Sequence, residues 1–229
     1  MPKWVKYSVF ILFVLPYLVF SDKEPDLLPR FAIRAQCNVP KVLGSEAYRI
    51  SFNGLYDGGI KFTVRVKNNF CLGIGYDNAL FNTTTLFRDN WGRNVNVRQQ
   101  IHNGVLSFIF DKSTSEKTFF SIGLNTGLSY NFYTNTVAVN DSLYSKIPKD
   151  FITVFVRPEM SINFLVEDNF AFGIHLSYNM SMYNYDPKVP RLDKYADYSK
   201  YKNRSNVGWI SFGFGFYYGF KRKGKATSA

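Results

Sequence analysis

Residues 207–220 read VGWISFGFGFYYGF, and their spacing decides how the chain is built. Ile210, Phe212, Phe214, Phe216, Tyr218 and Phe220 fall on even positions, and Trp209, Ser211, Gly213, Gly215, Tyr217 and Gly219 on odd ones. A period of two places these sets on opposite faces of a β-strand. One face is a ladder of large apolar groups and the other is mostly glycine and serine. Such a strand meets lipid with its greasy face and a crowded barrel interior with its small one.

The same alternation recurs upstream. Seven earlier strands are predicted at 31–39, 60–66, 70–77, 105–111, 118–132, 152–166 and 170–182. Tight polar turns at 68–69, 112–117 and 167–169 follow the second, fourth and sixth strands. Longer connections at 40–58, 79–103, 133–150 and 183–206 follow the others, with His102-Asn103-Gly104 read as a bulge or a turn. Long and short links in alternation are the surface loops and periplasmic turns of an outer-membrane barrel. The strand lengths match the roughly 9–11 residues that cross a bilayer at a tilt. The ring must close, because an open edge in lipid strands backbone groups at several kcal/mol each. The expectation is an all-β, eight-stranded antiparallel transmembrane barrel.

A soluble barrel of eight strands is the competing architecture. Its polar face meets water and carries Lys and Glu. Here the polar faces of strands five, seven and eight are Gly, Ser and Asn, which suit a narrow filled interior. The apolar faces of strands five to eight carry no charge, and each Lys or Arg there would cost about 2–4 kcal/mol at mid-depth. Phe70, Phe110, Phe120, Phe164, Phe170 and Phe220 gather near one end, and Tyr76, Tyr130, Tyr178 and Trp209 near the other, as two interfacial girdles.

The amino end, MPKWVKYSVFILFVLPYLVFS, has a basic start at Lys3 and Lys6 and an apolar run from Tyr7 to Phe20. It reads as a signal peptide over 1–21, removed on export. A polar lead-in follows at 22–29, the barrel spans 30–221, and a short basic tail occupies 222–229. Lys and Arg number 28 against 17 acids, a net charge of +11. Without Lys3 and Lys6 it is 26 against 17, or +9, which favours an anionic partner. Cys37 and Cys71 match no metal spacing and point to opposite faces at opposite ends of their strands, so no disulfide, metal or cofactor is expected.

Leader, alternation and the closing strand FGFGFYYGF together resemble the small outer-membrane β-barrel proteins, the OmpA-type or porin-family barrel domain in its Bacteroidota form, over about residues 30–220. The resemblance implies an integral outer-membrane location in a double-membrane bacterium. It also implies that Phe212–Phe220 engages the outer-membrane assembly machinery. The chain departs from the family in the residues KRKGKATSA after Phe220, where the family often ends on the aromatic.

Two groups of side chains are candidates for function. Lys61, Arg65, Arg157, Glu159 and His175 share predicted inner faces. A register sum of 334 or 336 between strands six and seven sets Glu159 opposite His175 or Ser177. The expected role is a luminal network of paired charges. His175-Leu176-Ser177 resembles the His-x-Ser of lipid A deacylase barrels, but both groups point to the lumen and no carboxylate follows suitably, so no enzyme is expected. The last loop interleaves Lys188, Arg191, Lys194, Lys200, Lys202 and Arg204 with Tyr185, Tyr195, Tyr198 and Tyr201. On a cell surface the nearest anions are lipopolysaccharide phosphates rather than nucleic acid. The leading expectation is a monomeric barrel with a structural or surface-interaction role through its loops. The alternative is a narrow anion-leaning channel lined by Lys61, Arg65, Arg157 and His175, and a lipid A-modifying enzyme comes third.

Overall fold

The computed structural model describes residues 28–67, 69–84, 87–88, 94–139, 142–194, 197–200 and 206–220. The predicted leader, most of the predicted lead-in, the residues after Phe220, and Tyr195, Tyr201, Lys202 and Arg204 lie outside the described residues. The eight strands are β1 (Phe31–Gly44), β2 (Phe52–Lys67), β3 (Phe70–Thr83), β4 (Asn94–Ser115), β5 (Thr118–Val139), β6 (Ser142–Glu167), β7 (Phe170–Asn184) and β8 (Asn206–Phe220). Each pairs antiparallel with its sequence neighbours, and β1 pairs with β8 from Phe31↔Phe220 to Gly44↔Val207, so the sheet closes on itself. A two-residue strand, Phe87–Arg88, lies beside the start of β4.

The pairings fix the geometry of the ring. From Ile33 they lead through Phe62, Ile74, Leu106, Thr126, Val156, Met180 and Gly208 back to β1 at Leu43. The return lies 43 − 33 = 10 residues along the strand, which is the shear of the barrel. With eight strands, that stagger tilts them by about 40° and leaves an interior only wide enough for side chains.

The faces fall as the alternation predicts. Phe212 and Phe214 are each 59% exposed, while Ser211 between β7 and β1 is fully buried. The outer band of Leu, Ile, Val and Phe, free of charge on β5 to β8, is the surface that a hydrocarbon layer covers. The lower girdle is built of contacting pairs: Phe70 with Phe110, Phe164 with Phe172, and Tyr218 with Phe220, at centroid distances of 5.1, 5.9 and 5.3 Å. At the upper edge His102 stacks on Tyr76 and Phe132, and Tyr130 donates to Asp150. Trp209 departs from the expected upper girdle. Its odd position points it inward, where it is buried against Phe81.

Short links follow β2, β4 and β6 as expected, but the ladder runs on to Ser115, so the turn predicted at 112–117 narrows to 116–117. The longer connections are corrected, because much of their length is strand. β4 and β5 have 22 residues each and β6 has 26, far more than a bilayer requires. His102-Asn103-Gly104 is continuous strand, paired on one side with Asn78–Tyr76 and on the other with Tyr130–Leu128. The outward set of β4 changes character there. Below His102 it is Leu106, Phe108 and Phe110; above it is Gln100, Arg98 and Asn96, while Val95, Val97 and Ile101 turn inward and are buried. The strand leaves the lipid at this point, so its outer face becomes polar.

The predicted connection at 40–58 is also shorter. β1 continues to Gly44, and a six-residue helix, α1 (Glu46–Ser51), leads directly into β2. Gly44, at φ 86°, makes the corner; a Cβ there would lie 2.8 Å from the Asn206 carbonyl. Ser45 caps α1 by accepting from the Tyr48 amide, and Glu46 and Arg49 complement its two ends. Between β6 and β7 the ladder skips Arg157 and Pro158. Proline has no N–H, and the two missing pairs are those that need a Pro158 donor to the Tyr178 carbonyl.

Candidate functional site

The interior is layered along the barrel axis. In the lower layer Arg34 reaches across from β1 to Asp111 on β4 at 2.5 Å, and its guanidinium lies over the Tyr217 ring at 5.2 Å. Asp111 also accepts from Ser121 Oγ at 2.7 Å and from Cys71 Sγ at 3.3 Å. Cys71 is thus inside and Cys37 outside, both as free thiols, in agreement with the expected absence of a bridge.

The middle layer gathers four of the five predicted luminal residues. Lys61 Nζ sits 2.5 Å from Glu159 Oε1, and His175 Nε2 lies 3.4 Å from Glu159 Oε2. Arg157 pairs with Asp77 at 2.5 Å and lies 3.8 Å from Glu159. Asn125 joins these groups, accepting from Lys61 and Ser107 and donating to the Arg157 carbonyl. The register sum is 336, with Glu159 opposite Ser177. Arg65, the fifth, is on the same inner face of β2 but one layer lower, paired in register with Cys71. Above them Asp57 accepts from Trp209 Nε1 at 3.1 Å and from Asn179 Nδ2 at 3.2 Å, and Ser211 also donates to it.

Arg34, Asp57, Asp77 and Asp111 were not singled out in the sequence. For Arg34, Asp77 and Asp111 the signal was present, since they occupy inward positions of predicted strands; Asp57 lay in the predicted connection at 40–58, which the structure extends as strand. With them included, Arg34, Lys61, Arg65 and Arg157 face Asp57, Asp77, Asp111 and Glu159, and the charges cancel. A cavity of about 30 Å³, room for one water, lies between Arg34, Lys61, Glu159 and His175. The His-x-Ser reading finds no hydrolytic arrangement. The ring nitrogens of His175 contact Asn38 and Glu159, and among the described residues Ser177 Oγ has no hydrogen-bond partner.

Both mouths are covered. At the lower end Leu28, Ala32, Phe119, Ala171 and Tyr217 form a buried apolar cluster. At the upper end Tyr48 of α1 packs against Phe52, Phe81 and Tyr185, and donates to Gln99 at 2.7 Å. Burial holds the Tyr48 and Tyr185 phenols above their usual range, so both remain neutral hydroxyls.

The last loop is the main correction to the predicted binding surface. It is anchored in the upper cluster through Tyr185, Leu192 and Tyr198, whose hydroxyl lies 3.0 Å from Ser51 Oγ. Tyr185 and Tyr198 are therefore internal struts and not surface contacts. Lys188, Arg191, Lys194 and Lys200 remain exposed. Asp186 accepts from the Lys188 amide and Asp197 from the Ser199 amide, each at 2.9 Å, and hydrogen bonding from the Ser199 hydroxyl first and its amide second holds the Asp197 carboxyl below its usual range. A 3₁₀ turn at Leu192–Lys194 completes the tip.

Ring, exterior and filled lumen define a small transmembrane β-barrel of the outer-membrane type. No protein-family model and no curated protein matches the sequence. Among solved structures the chain is similar to Neisserial surface protein A (NspA), at 16% identity and TM-score 0.46, over 83% of this chain and 97% of that one. It is also similar to Ail, the attachment invasion locus protein of Yersinia pestis, solved with the heparin analogue sucrose octasulfate (13% identity, TM-score 0.44, 82% and 97% covered). A third is OprG from Pseudomonas aeruginosa, at 14% identity and TM-score 0.42, with 84% and 97% covered. These proteins are small outer-membrane barrels, and the likeness is one of fold.

Proposed function

We propose that the chain is a non-conducting, non-enzymatic outer-membrane barrel that serves as a rigid mount for its surface loops, with the last loop as a basic contact surface for anionic groups. The observation that carries this reading is the filled lumen: internal charges equal in number, three cations in direct ion pairs, with a buried apolar cluster at each mouth. An ion entering it would have to break buried pairs, each costing about 3–5 kcal/mol when one partner is lost. Support for the loop as the working part comes from its build. Buried tyrosines and Leu192 hold it in place, while Lys188, Arg191, Lys194 and Lys200 point to solvent. The anions in reach are the phosphates of the surrounding lipopolysaccharide. Assembly into the membrane proceeds through the closing strand, Phe212–Phe220.

Recording from the purified, refolded protein in planar bilayers tests the central statement. No resolvable unitary current is expected. Steady single-channel steps with anion preference would replace this reading with the narrow channel.

A further inference from the structure

The tip of the last loop holds a conformation that its sequence does not favour. Arg191 has φ 60°, in the left-handed region, and is the one non-glycine residue there among the described residues. An L side chain in this region crowds its own backbone, and glycine or asparagine is the usual occupant. The flanks enforce it. Pro190 is buried and its carbonyl accepts from Asn135 Nδ2 at 2.9 Å, while Leu192 on the other side is fully buried. Two backbone bonds, Arg191 N to Lys188 O at 3.1 Å and Leu192 N to Pro187 O at 2.9 Å, tie the turn. Anchored on both sides, residue 191 is aimed at solvent in a fixed direction. Strain at a non-glycine residue held by its surroundings is characteristic of functional positions.

We propose that Arg191 is the specificity-determining residue of the basic surface, placed to take a phosphate group of the surrounding lipopolysaccharide through its guanidinium. This rests on the reading of the last loop as an anion-contact surface. The planar fork of arginine matches two oxygens of one phosphate, which a lysine cannot do. Lys188 and Lys194 supply the local positive field. Asp186 and Asp193 lie in the same stretch, and the Asp186 carboxylate is occupied by the Lys188 amide. A glycine at 191 would relieve the backbone, so keeping arginine there calls for a use of its side chain.

The test is titration of the refolded full chain, in detergent micelles, with purified lipopolysaccharide and with the same material after dephosphorylation. Unfolding temperature is read in parallel by gel mobility. Arg191→Gly is expected to weaken binding of the phosphorylated form at least tenfold while raising the unfolding temperature by about 2–4 °C, as relief of backbone strain allows. Arg191→Lys keeps the charge and is expected to lose most of the same affinity; Lys188→Ala is expected to lose about threefold. Arg191→Gly binding within twofold of the parent overturns the proposal. If Lys188→Ala and Lys194→Ala weaken binding in that same experiment, the anion-contact reading survives without it. If the parent protein binds both lipopolysaccharide forms equally, both fail.

Discussion

Asp111→Ala isolates what the interior charges do for the barrel. Asp111 is fully buried and takes the Arg34 guanidinium at 2.5 Å, together with the Ser121 hydroxyl and the Cys71 thiol. Its removal leaves Arg34, with a side chain only 12% exposed, charged in a closed interior. Losing one partner of such a pair costs about 3–5 kcal/mol. For a chain of this size each kcal/mol moves the midpoint by about 2–4 °C, so a fall of about 6–20 °C is expected. The double variant Arg34→Met, Asp111→Leu removes the charge problem and fills the space. It should lie within about 1.5 kcal/mol of the parent, whereas Arg34→Met and Asp111→Leu made singly should each cost about 3–5 kcal/mol, a coupling of at least about 4.5 kcal/mol. Part of the Arg34 loss is its stacking on Tyr217, worth about 0.5–2 kcal/mol, and is not restored by Met. Urea titration in micelles, scored by the folded and unfolded gel bands, gives both numbers. A loss below about 1 kcal/mol in Asp111→Ala, or a double variant as weak as the sum of the singles, would refute a lumen held by paired charges.

Three further outcomes follow from other parts of the ring. Phe214→Arg puts a cation on the lipid face midway along β8 and should cost about 2–4 kcal/mol in the same titration, whereas Phe214→Leu should cost under about 1.5 kcal/mol. Gly213→Val should abolish the heat-modifiable band, because a Cβ there sits 2.2 Å from the Cys37 carbonyl across the closing seam; Gly215→Ala, whose nearest atom is 3.8 Å away, should assemble normally. Asp57→Ala strands the donors of Trp209, Asn179 and Ser211 and should lower stability by about 2–3 kcal/mol, with Asp57→Asn recovering part of it on the same gel assay.

The strands were legible wherever lipid imposes a single rule, apolar out and small or polar in. The eight strands, the places of the three short links and the inner positions of Lys61, Arg65, Arg157, Glu159 and His175 were read from that alternation, although the link after the fourth strand was drawn four residues too long. It failed at residues 94–101 because the rule reverses above the bilayer. Val95, Val97 and Ile101 pack inward over the lumen while Asn96, Arg98 and Gln100 face water. A reader following one phase meets a break at His102–Gly104 and infers a turn, although the backbone runs on. The last loop was misjudged for a related reason. Its charges gave a solvated segment, but Leu192 and Tyr198 at irregular spacing carry no periodic signal of burial. Asp77 and Asp111 were missed because each sits singly in its strand and acquires its cation only across the ring, and Asp57 because it lay in a predicted loop and its donors, Asn179, Trp209 and Ser211, are neutral groups on other strands.

The lower apolar cluster has a consequence for how the closed ring persists. Leu28 enters it from the residues just before the first strand, Ala32 from that strand, Tyr217 from the last, and Phe119 and Ala171 from between them. It therefore straddles the one seam that joins chain-distant partners, and it cannot assemble until that seam has zipped. An interaction absent from the transition state for closure does nothing to hasten it, but must be surrendered before the seam can part. Leu28 and its neighbours act as a latch that engages behind the last strand, lengthening the lifetime of the barrel without changing the route by which it forms.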